Sequence, residues 1–187
     1  MSVSDIDDAL VDAARGGDDA AVRRIYHALS PAVLGYLRVH GASDPEAATS
    51  EVFVAVFDRI ARLSGGAAGL RTLLFSVAHA RMVDDRRVQA RRPRTVEYLP
   101  ADDRRHVPSA EDDALESLAA ERVRAILALL PSDQGEVLRL RIVADLSIEQ
   151  VAEVIGRSAG AVKQLQRRAL IALRAELSRR PERRVTR

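Results

Sequence analysis

A length of 187 residues allows one domain or two small ones, and the 3% of aromatic residues means that any core is built mainly from aliphatic side chains. The absence of cysteine excludes disulfides and thiolate metal sites, and the four histidines are scattered without metal-ligand spacing, so we expect neither a cofactor nor a metal. The net charge of +2 conceals an asymmetry: residues 1–60 hold ten acidic against five basic residues, whereas residues 157–187 hold ten basic against two acidic. Such a distribution favours a chain that shows one end to protein and the other to a polyanion.

The N-terminal sequence argues against export. The first ten residues, MSVSDIDDAL, are acidic where a secretory signal would be basic and then apolar. No uninterrupted apolar run approaches the length of a membrane span. We therefore expect a soluble, cytoplasmic protein with no membrane partner.

The first forty residues have helical periodicity. An amphipathic helix is predicted over 5–15, and Asp18 or Asp19 is expected to cap the next helix. Pro31 either begins a fresh helix or lies within one long helix, and Gly41 ends the apolar pattern.

The next fifty residues predict two more helices. Ser43 or Asp44 caps the first, which has Pro45 at its start. Its buried stripe is expected to comprise Val52, Phe53, Val56, Phe57 and Ile60. A glycine-rich loop at 63–71 lacks the pattern of a phosphate-binding loop, and a helix is predicted from Leu70 to about Arg92.

Composition divides the chain into two helical domains. Residues 93–110 contain three of the seven prolines and little periodicity, which is typical of a flexible linker. The prediction is an all-α protein with domains at 1–92 and 111–180, joined by the linker 93–110 and followed by a disordered tail at 181–187. The second domain begins with an amphipathic helix, and Pro131 opens the next one.

The stretch 146–177 predicts a helix-turn-helix. Ser147 and Gln150 form a capping box, Gly156 suits the turn, and Ser158 caps the second helix. That helix buries Val162, Leu165, Ala169, Ala172 and Leu173 and directs Lys163, Gln164, Arg167, Arg168 and Arg174 outward. The density of basic residues favours nucleic-acid binding over a purely structural helical hairpin.

Both halves of the chain resemble sigma-70-type transcription initiation factors of the short extracytoplasmic-function (ECF) class. Region four of that family resembles LPSDQGEVLRLRIVADLSIEQVAEVIGRSAGAVKQLQRRALIALR, and its polymerase-binding helix in region two resembles DPEAATSEVFVAVFDRI. The helix that melts promoters and reads the −10 element resembles GLRTLLFSVAHARMVDDRRVQARRP. The resemblance implies a region 2 bundle and a region 4 helix-turn-helix, with core RNA polymerase (its clamp coiled coil and flap) and promoter DNA as partners. It implies no catalytic group, and an anti-sigma factor is a possible further partner.

The resemblance also implies three sets of site residues. Those expected to bind the −35 element are Ser158, Ala159, Gly160, Lys163, Gln164, Arg167, Arg168 and Arg141. Those expected at the −10 element are Leu63, Phe75, His79, Ala80, Arg81, Asp84, Arg86 and Arg87. Those expected to contact polymerase are Glu51, Val54, Asp58 and Arg59.

Three positions depart from the family pattern, and two other classes of function are compared with the sequence below them. Leu73 replaces a usual Trp and Ala80 a common Asn or His, which weakens the expectation of strong strand separation, and Ala47 replaces a frequent acid in the polymerase-binding helix. A stand-alone activator of the LuxR type shares the helix-turn-helix skeleton but explains only the C-terminal half. An enzyme acting on nucleic acid finds no cluster of metal ligands, carboxylates or nucleophiles to support it.

Overall fold

The computed structural model describes residues 6–91 and 110–179, and these residues form helices and turns without a strand. The all-α prediction is confirmed for this part of the chain. The predicted linker, except Ala110, and the predicted tail lie outside the described residues. The first unit comprises α1 (Asp8–Arg15), α2 (Asp19–His40), α3 (Pro45–Phe57), a short 3-10 turn (Ile60–Arg62) and α4 (Gly66–Arg91).

Side-chain caps fix where the first helices begin. Of the candidate caps, Asp18 accepts the Ala20 amide at 2.7 Å and Asp44 accepts the Ala47 amide at 2.8 Å. Each carboxylate satisfies an amide that has no partner within its helix. Gly41 ends α2 with φ of 82°, a left-handed conformation that glycine adopts without steric cost.

Helix α2 runs unbroken through Pro31, so the single-helix alternative holds. A proline inside a helix removes one backbone hydrogen bond and costs about 3 kcal/mol. The helix continues because its buried stripe extends on both sides of the proline, with Ile25 and Leu29 before it and Val33 and Tyr36 after it. Burial of four such side chains outweighs one lost bond.

Helix α4 begins at Gly66, four residues earlier than the sequence predicted. The reason is a cap from a distant helix, because the Asp8 carboxylate in α1 accepts the Ala67 amide at 2.8 Å. Gly66 has φ of 56°, and a Cβ there would collide with that carboxylate. The glycine therefore allows α1 to cap α4, a tertiary contact that local sequence patterns do not reveal.

The second unit contains α5 (Ala110–Leu127), α6 (Ser132–Leu138), a π-helical turn (Arg139–Val143), α7 (Ile148–Val154) and α8 (Ala159–Arg179). Pro131 stands immediately before α6, as predicted. The π turn was not predicted; the Ala144 amide bonds to the Arg139 carbonyl at 3.1 Å. On α5 only the C-terminal part of the apolar stripe is covered, since Leu127 is buried whereas Leu115 and Leu118 are exposed.

The two units share one continuous apolar core. Buried side chains of α1 to α4 pack in the same cluster as Val137, Leu140 and Val151 of the second unit. A smaller cluster joins Val39 of α2 to residues of α6 and α8. The described parts of the two units are therefore closed against each other.

Candidate nucleic-acid and polymerase interface

The predicted helix-turn-helix is present. Ser147 and Gln150 form a reciprocal capping box: the Gln150 amide donates to the Ser147 hydroxyl at 3.1 Å, and the Ser147 amide donates to the Gln150 side chain at 2.8 Å. Gly156 has φ of 63° in the turn, and Ser158 accepts the Ala161 amide at 3.2 Å at the start of α8. Local hydrogen bonds thus fix both helix starts and the turn between them.

Helix α8 separates an apolar face from a basic one. Val162 and Ala169 are fully buried, and Leu165 is half-buried. The exposed residues include the predicted −35 contacts Ser158, Gly160, Lys163, Gln164, Arg167 and Arg168. Ala159 is half-buried and packs against the core. We call the exposed set the α8 face; its donors suit the edges of bases and phosphates.

Arg141 is placed differently from the other −35 candidates. It is half-buried in the π turn, and its guanidinium donates to the Leu146 carbonyl. This bond ties the side chain to the loop that precedes α7. In this arrangement Arg141 supports the helix-turn-helix, and only part of it faces solvent.

The predicted polymerase contacts share the outer side of α3 and the turn after it. Glu51, Val54, Asp58 and Arg59 are all exposed, and Val54 is 62% exposed. The inward stripe is also as predicted: Val52, Phe53, Val56 and Ile60 are buried, and Phe57 is half-buried. The residues expected to contact polymerase are therefore all accessible to a partner.

The predicted −10 residues differ in burial: two are buried, three are exposed, and His79 and Arg81 are half-buried. Leu63 and Phe75 are buried, and the Phe75 ring packs edge-on against Tyr36 with centroids 5.6 Å apart. The exposed group comprises Ala80, Asp84 and Arg86. Phe75 in this arrangement is a core residue, whereas the family resemblance placed it at the −10 element.

Three −10 candidates on α4 have side-chain contacts, and the side chain of a fourth falls outside the described residues. Arg81 is ion-paired with Glu51 of the polymerase set, which joins the two predicted surfaces. Arg86 donates to His40 Nδ1 at 2.8 Å, and His79 lies 2.9 Å from the Glu136 carboxylate. The side chain of Arg87 lies outside the described residues.

The second unit contacts the start of α4 through three hydrogen bonds. Gln150 of α7 donates to the Ala68 carbonyl at 3.1 Å. Arg71 of α4 donates to the carbonyls of Ala144 and Asp145, at 2.8 and 3.1 Å. Two residues of the glycine-rich segment 63–71, Ala68 and Arg71, thus bond to α7 and the loop before it, while Ser64, Gly65 and Ala68 remain exposed.

Sequence analysis missed a buried carboxylate between the units. Glu136 on α6 is 6% exposed and accepts from the Tyr36 hydroxyl of α2 at 2.6 Å. Its only local signal is a carboxylate immediately before the apolar pair Val137 and Leu138. That signal does not reveal which distant groups satisfy the charge.

The described ranges contain neither a metal-binding cluster nor a helix able to span a membrane. Among residues 6–91 and 110–179, no group of three or more His, Cys, Asp or Glu side chains is arranged to hold a metal ion. Within the same ranges, no helix combines the length and the apolar character needed to cross a bilayer.

Fold and surfaces together define a two-unit helical protein with a basic helix-turn-helix. The family model for sigma-70, region 4 matches residues 126–175. The ECF RNA polymerase sigma factor SigD of Mycobacterium tuberculosis is 31% identical over 182 residues, covering 91% of this chain and 83% of SigD. The ECF sigma factor ShbA of Streptomyces griseus is 32% identical over 178 residues, covering 89% of this chain and 93% of ShbA. The chain belongs to the ECF RNA polymerase sigma factors.

Solved structures share the fold. CnrH in complex with the cytosolic domain of CnrY has a TM-score of 0.69 at 22% identity, covering 94% of this chain and 99% of CnrH. The sigma factor RpoE in complex with the anti-sigma factor NepR from Bartonella quintana has a TM-score of 0.56 at 19% identity, covering 83% of this chain and 96% of RpoE. At these identities the likeness concerns the fold alone.

Proposed function

We propose that this chain is a transcription initiation factor that binds core RNA polymerase, directs it to promoters with −35 and −10 elements, and helps to melt the −10 segment. The observation that carries the proposal is the family relationship across both units, since similarity to SigD covers 91% of the chain. A LuxR-type activator would account for the helix-turn-helix but not for the α3 surface or α4.

The α8 face is the proposed −35 reader. Gln164 can form a bidentate pair with adenine, and Arg167 or Lys163 can reach guanine or phosphate. Arg168 is proposed as a phosphate contact that positions the helix without reading sequence. Ala159 and Gly160 are small, so readout at the front of α8 would rest on close backbone approach, thymine methyl contacts or DNA shape.

The α4 surface is the proposed −10 reader. Extruding a base costs a few kcal/mol, and a shaped pocket with backbone contacts offsets that cost. Leu63 and the glycine segment would supply the pocket, while Arg81, Asp84, Arg86 and Arg87 would lie along the −10 and spacer DNA. Leu73 and Ala80 depart from the family, so we expect a strict promoter requirement.

The outer side of α3 is the proposed contact for the polymerase clamp coiled coil, with Val54 at its centre. The flap would be contacted by the second unit. No residue of this chain has a catalytic role in the proposal, because phosphodiester chemistry belongs to the polymerase. The site of action would be the cytoplasm, where chromosomal DNA is transcribed.

An anti-sigma factor is the remaining proposed partner. CnrH is bound to the cytosolic domain of CnrY, and RpoE is bound to the anti-sigma factor NepR. By analogy, we expect a protein that binds both units of this chain. Pull-down of the full-length chain from its host, followed by transcription with and without the captured protein, tests this expectation.

Reconstitution tests the function directly. Purified chain is mixed with core RNA polymerase, and transcription is measured from a promoter library. The expected result is co-elution with polymerase and transcripts that depend on the chain; absence of both would contradict the proposal. Val54→Asp should weaken co-elution about tenfold or more, because it places a charge in an apolar contact. Ala20→Asp, a similar change at an exposed position of α2, is the matched control.

A further inference from the structure

One lysine stands among the basic residues of this chain. Of the 29 lysines and arginines, Lys163 is the only lysine, and the other 28 are arginines. It is exposed within the α8 face, one helical turn from Gly160 and one from Arg167. Arginine carries the same charge and pairs better with guanine or phosphate, because its planar guanidinium forms two parallel hydrogen bonds. Charge alone therefore does not account for a lysine at this position.

The side chains around Lys163 form a shallow cleft with a cationic part and an apolar part. The cleft has a volume of about 390 Å³ and is lined by Lys163, Gln166, Arg167, Leu170 and Ile171. Leu170 is 47% exposed and Ile171 is 59% exposed, so two aliphatic side chains lie open to solvent next to the amine. The proposed −35 contacts include neither of them. The cleft thus places a guanidinium and an aliphatic surface beside the one lysine amine of the chain.

This combination suits an activated acyl donor that carries phosphate. The amine of lysine is a nucleophile in its neutral form, whereas the guanidinium of arginine stays protonated. The Arg167 guanidinium can bind the phosphate of the donor, and Leu170 and Ile171 can pack against its acyl chain. Apart from the α-amino group of the chain, Lys163 holds the only amine that such a donor can acylate.

We propose that Lys163 is an acylation site, at which a short acyl group from an acyl phosphate or an acyl-CoA thioester switches off −35 recognition. The Lys163 nitrogen attacks the carbonyl carbon of the donor and forms an N–C bond. The bond from that carbon to the phosphate oxygen or the thiol sulfur breaks, the leaving group departs with the electron pair, and the nitrogen loses a proton to water. The product is a neutral amide, so the α8 face loses one positive charge and two of the three hydrogen-bond donors of the ammonium group.

The consequence for promoter binding rests on the proposed function, because that function assigns the α8 face to the −35 element. A second charge on the neighbouring helix α7 adds to the effect. Hydrogen bonds from its own amide and from Ser147 lower the pKa of Glu149, and the charge of Lys163 lowers it further. Glu149 is thus within electrostatic reach of Lys163, and acylation leaves its carboxylate less compensated near DNA phosphates. We expect binding to a −35 duplex to fall about tenfold.

Mapping of the reaction tests the site without polymerase or DNA. The full-length chain is incubated with acetyl phosphate or with acetyl-CoA, either folded or in urea, and mass spectrometry compares acetylation of Lys163 with that of the α-amino group. With the donor that uses the cleft, Lys163 should react at least about fivefold faster in the folded chain, because the cleft orients the donor. Arg167→Ala should remove most of this advantage, whereas Arg23→Ala, at an exposed position of α2, should keep it. Equal rates in the folded and unfolded chain with both donors, or a full advantage in Arg167→Ala, would overturn the acylation site.

Transcription tests the consequence. The chain is acetylated, freed of donor and mixed with core polymerase, and transcription is measured from a promoter that carries a −35 element. The acetylated chain and Lys163→Gln, which lacks the charge, should give about tenfold less transcript than the untreated chain. Lys163→Arg keeps the charge, so treatment with the donor should not change its activity. A fully acetylated chain that transcribes like the untreated chain would overturn the switch, whereas an inactive untreated chain would overturn the proposed function instead.

Discussion

The two proposed promoter-reading regions of this protein differ in how they are held in place. The α8 face is defined by local caps and one helical stripe, and its predicted contacts Lys163, Gln164 and Arg167 are exposed. The start of α4 is shaped by contacts from two other elements: Asp8 of α1 caps it, and Gln150 of α7 donates to its Ala68 carbonyl. The α8 face is thus built from local contacts, whereas the start of α4 depends on distant parts of the chain. The contrast suggests that −35 and −10 recognition are not equally ready before polymerase binds.

Phe75→Ala has the largest expected effect on stability. It tests whether the α4 region is held by core packing. The ring is fully buried against Tyr36, and its loss leaves a cavity that should lower the free energy of unfolding by about 3–5 kcal/mol. Chemical denaturation measures the change. Leu170→Ala, an exposed control on α8, should stay within about 0.5 kcal/mol. If the stability of Phe75→Ala were unchanged and separation of the promoter strands were impaired, the ring would instead be identified as a base contact.

Gln164→Ala tests whether the α8 face reads sequence. Loss of a bidentate amide pair should cost about 1–3 kcal/mol at one −35 position and relax the preference there. Competition among −35 variants, with polymerase present, measures this preference. Arg168→Ala is the comparison, since loss of a phosphate contact should weaken all sequences alike. An equal loss on every variant for Gln164→Ala would mean that Gln164 contacts only the backbone.

Asp8→Ala tests whether α1 positions the start of α4. Removing a capping carboxylate costs about 0.5–2 kcal/mol, and here the lost bond joins two helices. Thermal unfolding and amide exchange at Ala67 measure the effect. Asp8→Asn retains an acceptor and should recover most of the stability. Exchange at Ala67 that is identical in all three proteins would show that the cap does not stabilise α4.

Acidification should have the smallest effect and should open the units. His40 accepts from Arg86 at Nδ1 and faces Glu136 and Arg139 from the second unit, with Tyr36 beside it on α2 and His79 on the far side of the carboxylate. Near its helix end, the Arg124 guanidinium of α5 lies against Gly41. A proton at Nδ1 would break the bond from Arg86 and place two cations together.

The direction of the pH effect follows from His40. Burial lowers the pKa of His40 in the closed chain despite the opposing influence of Glu136. The closed form therefore binds fewer protons, so closure is favoured above the ordinary histidine pKa of about 6.5 and weakens as pH falls below it. Glu136 acts in the same direction at lower pH, because its pKa is also depressed on closure. Fluorescent labels at Ala20→Cys and Ser178→Cys, exposed positions on the two units, report the separation of the units by energy transfer. Energy transfer between them should decline from about pH 8 to about pH 5.5, and His40→Gln should flatten the curve. A rise on acidification would refute this assignment.

Local chemistry explains which features the sequence could predict. The capping box at Ser147, the glycine at 156 and the stripe of α8 lie within a few residues of one another, so spacing alone placed the helix-turn-helix correctly. The outward set on α3 was found for the same reason. The start of α4 was wrong by four residues because its cap comes from Asp8, and the role of Glu136 was missed because its partners lie 57 to 100 residues away.

The most direct test compares promoter binding by the free chain and by the chain with core polymerase. Fluorescence anisotropy on a duplex that carries both promoter elements measures affinity, with the −35 or −10 sequence scrambled in parallel. We expect weak binding by the free chain that ignores the −10 sequence, and binding by the polymerase complex that is at least about a hundredfold tighter and sensitive to both elements. Free chain that binds as tightly as the complex, with equal dependence on the −10 sequence, would contradict the polymerase-dependent function.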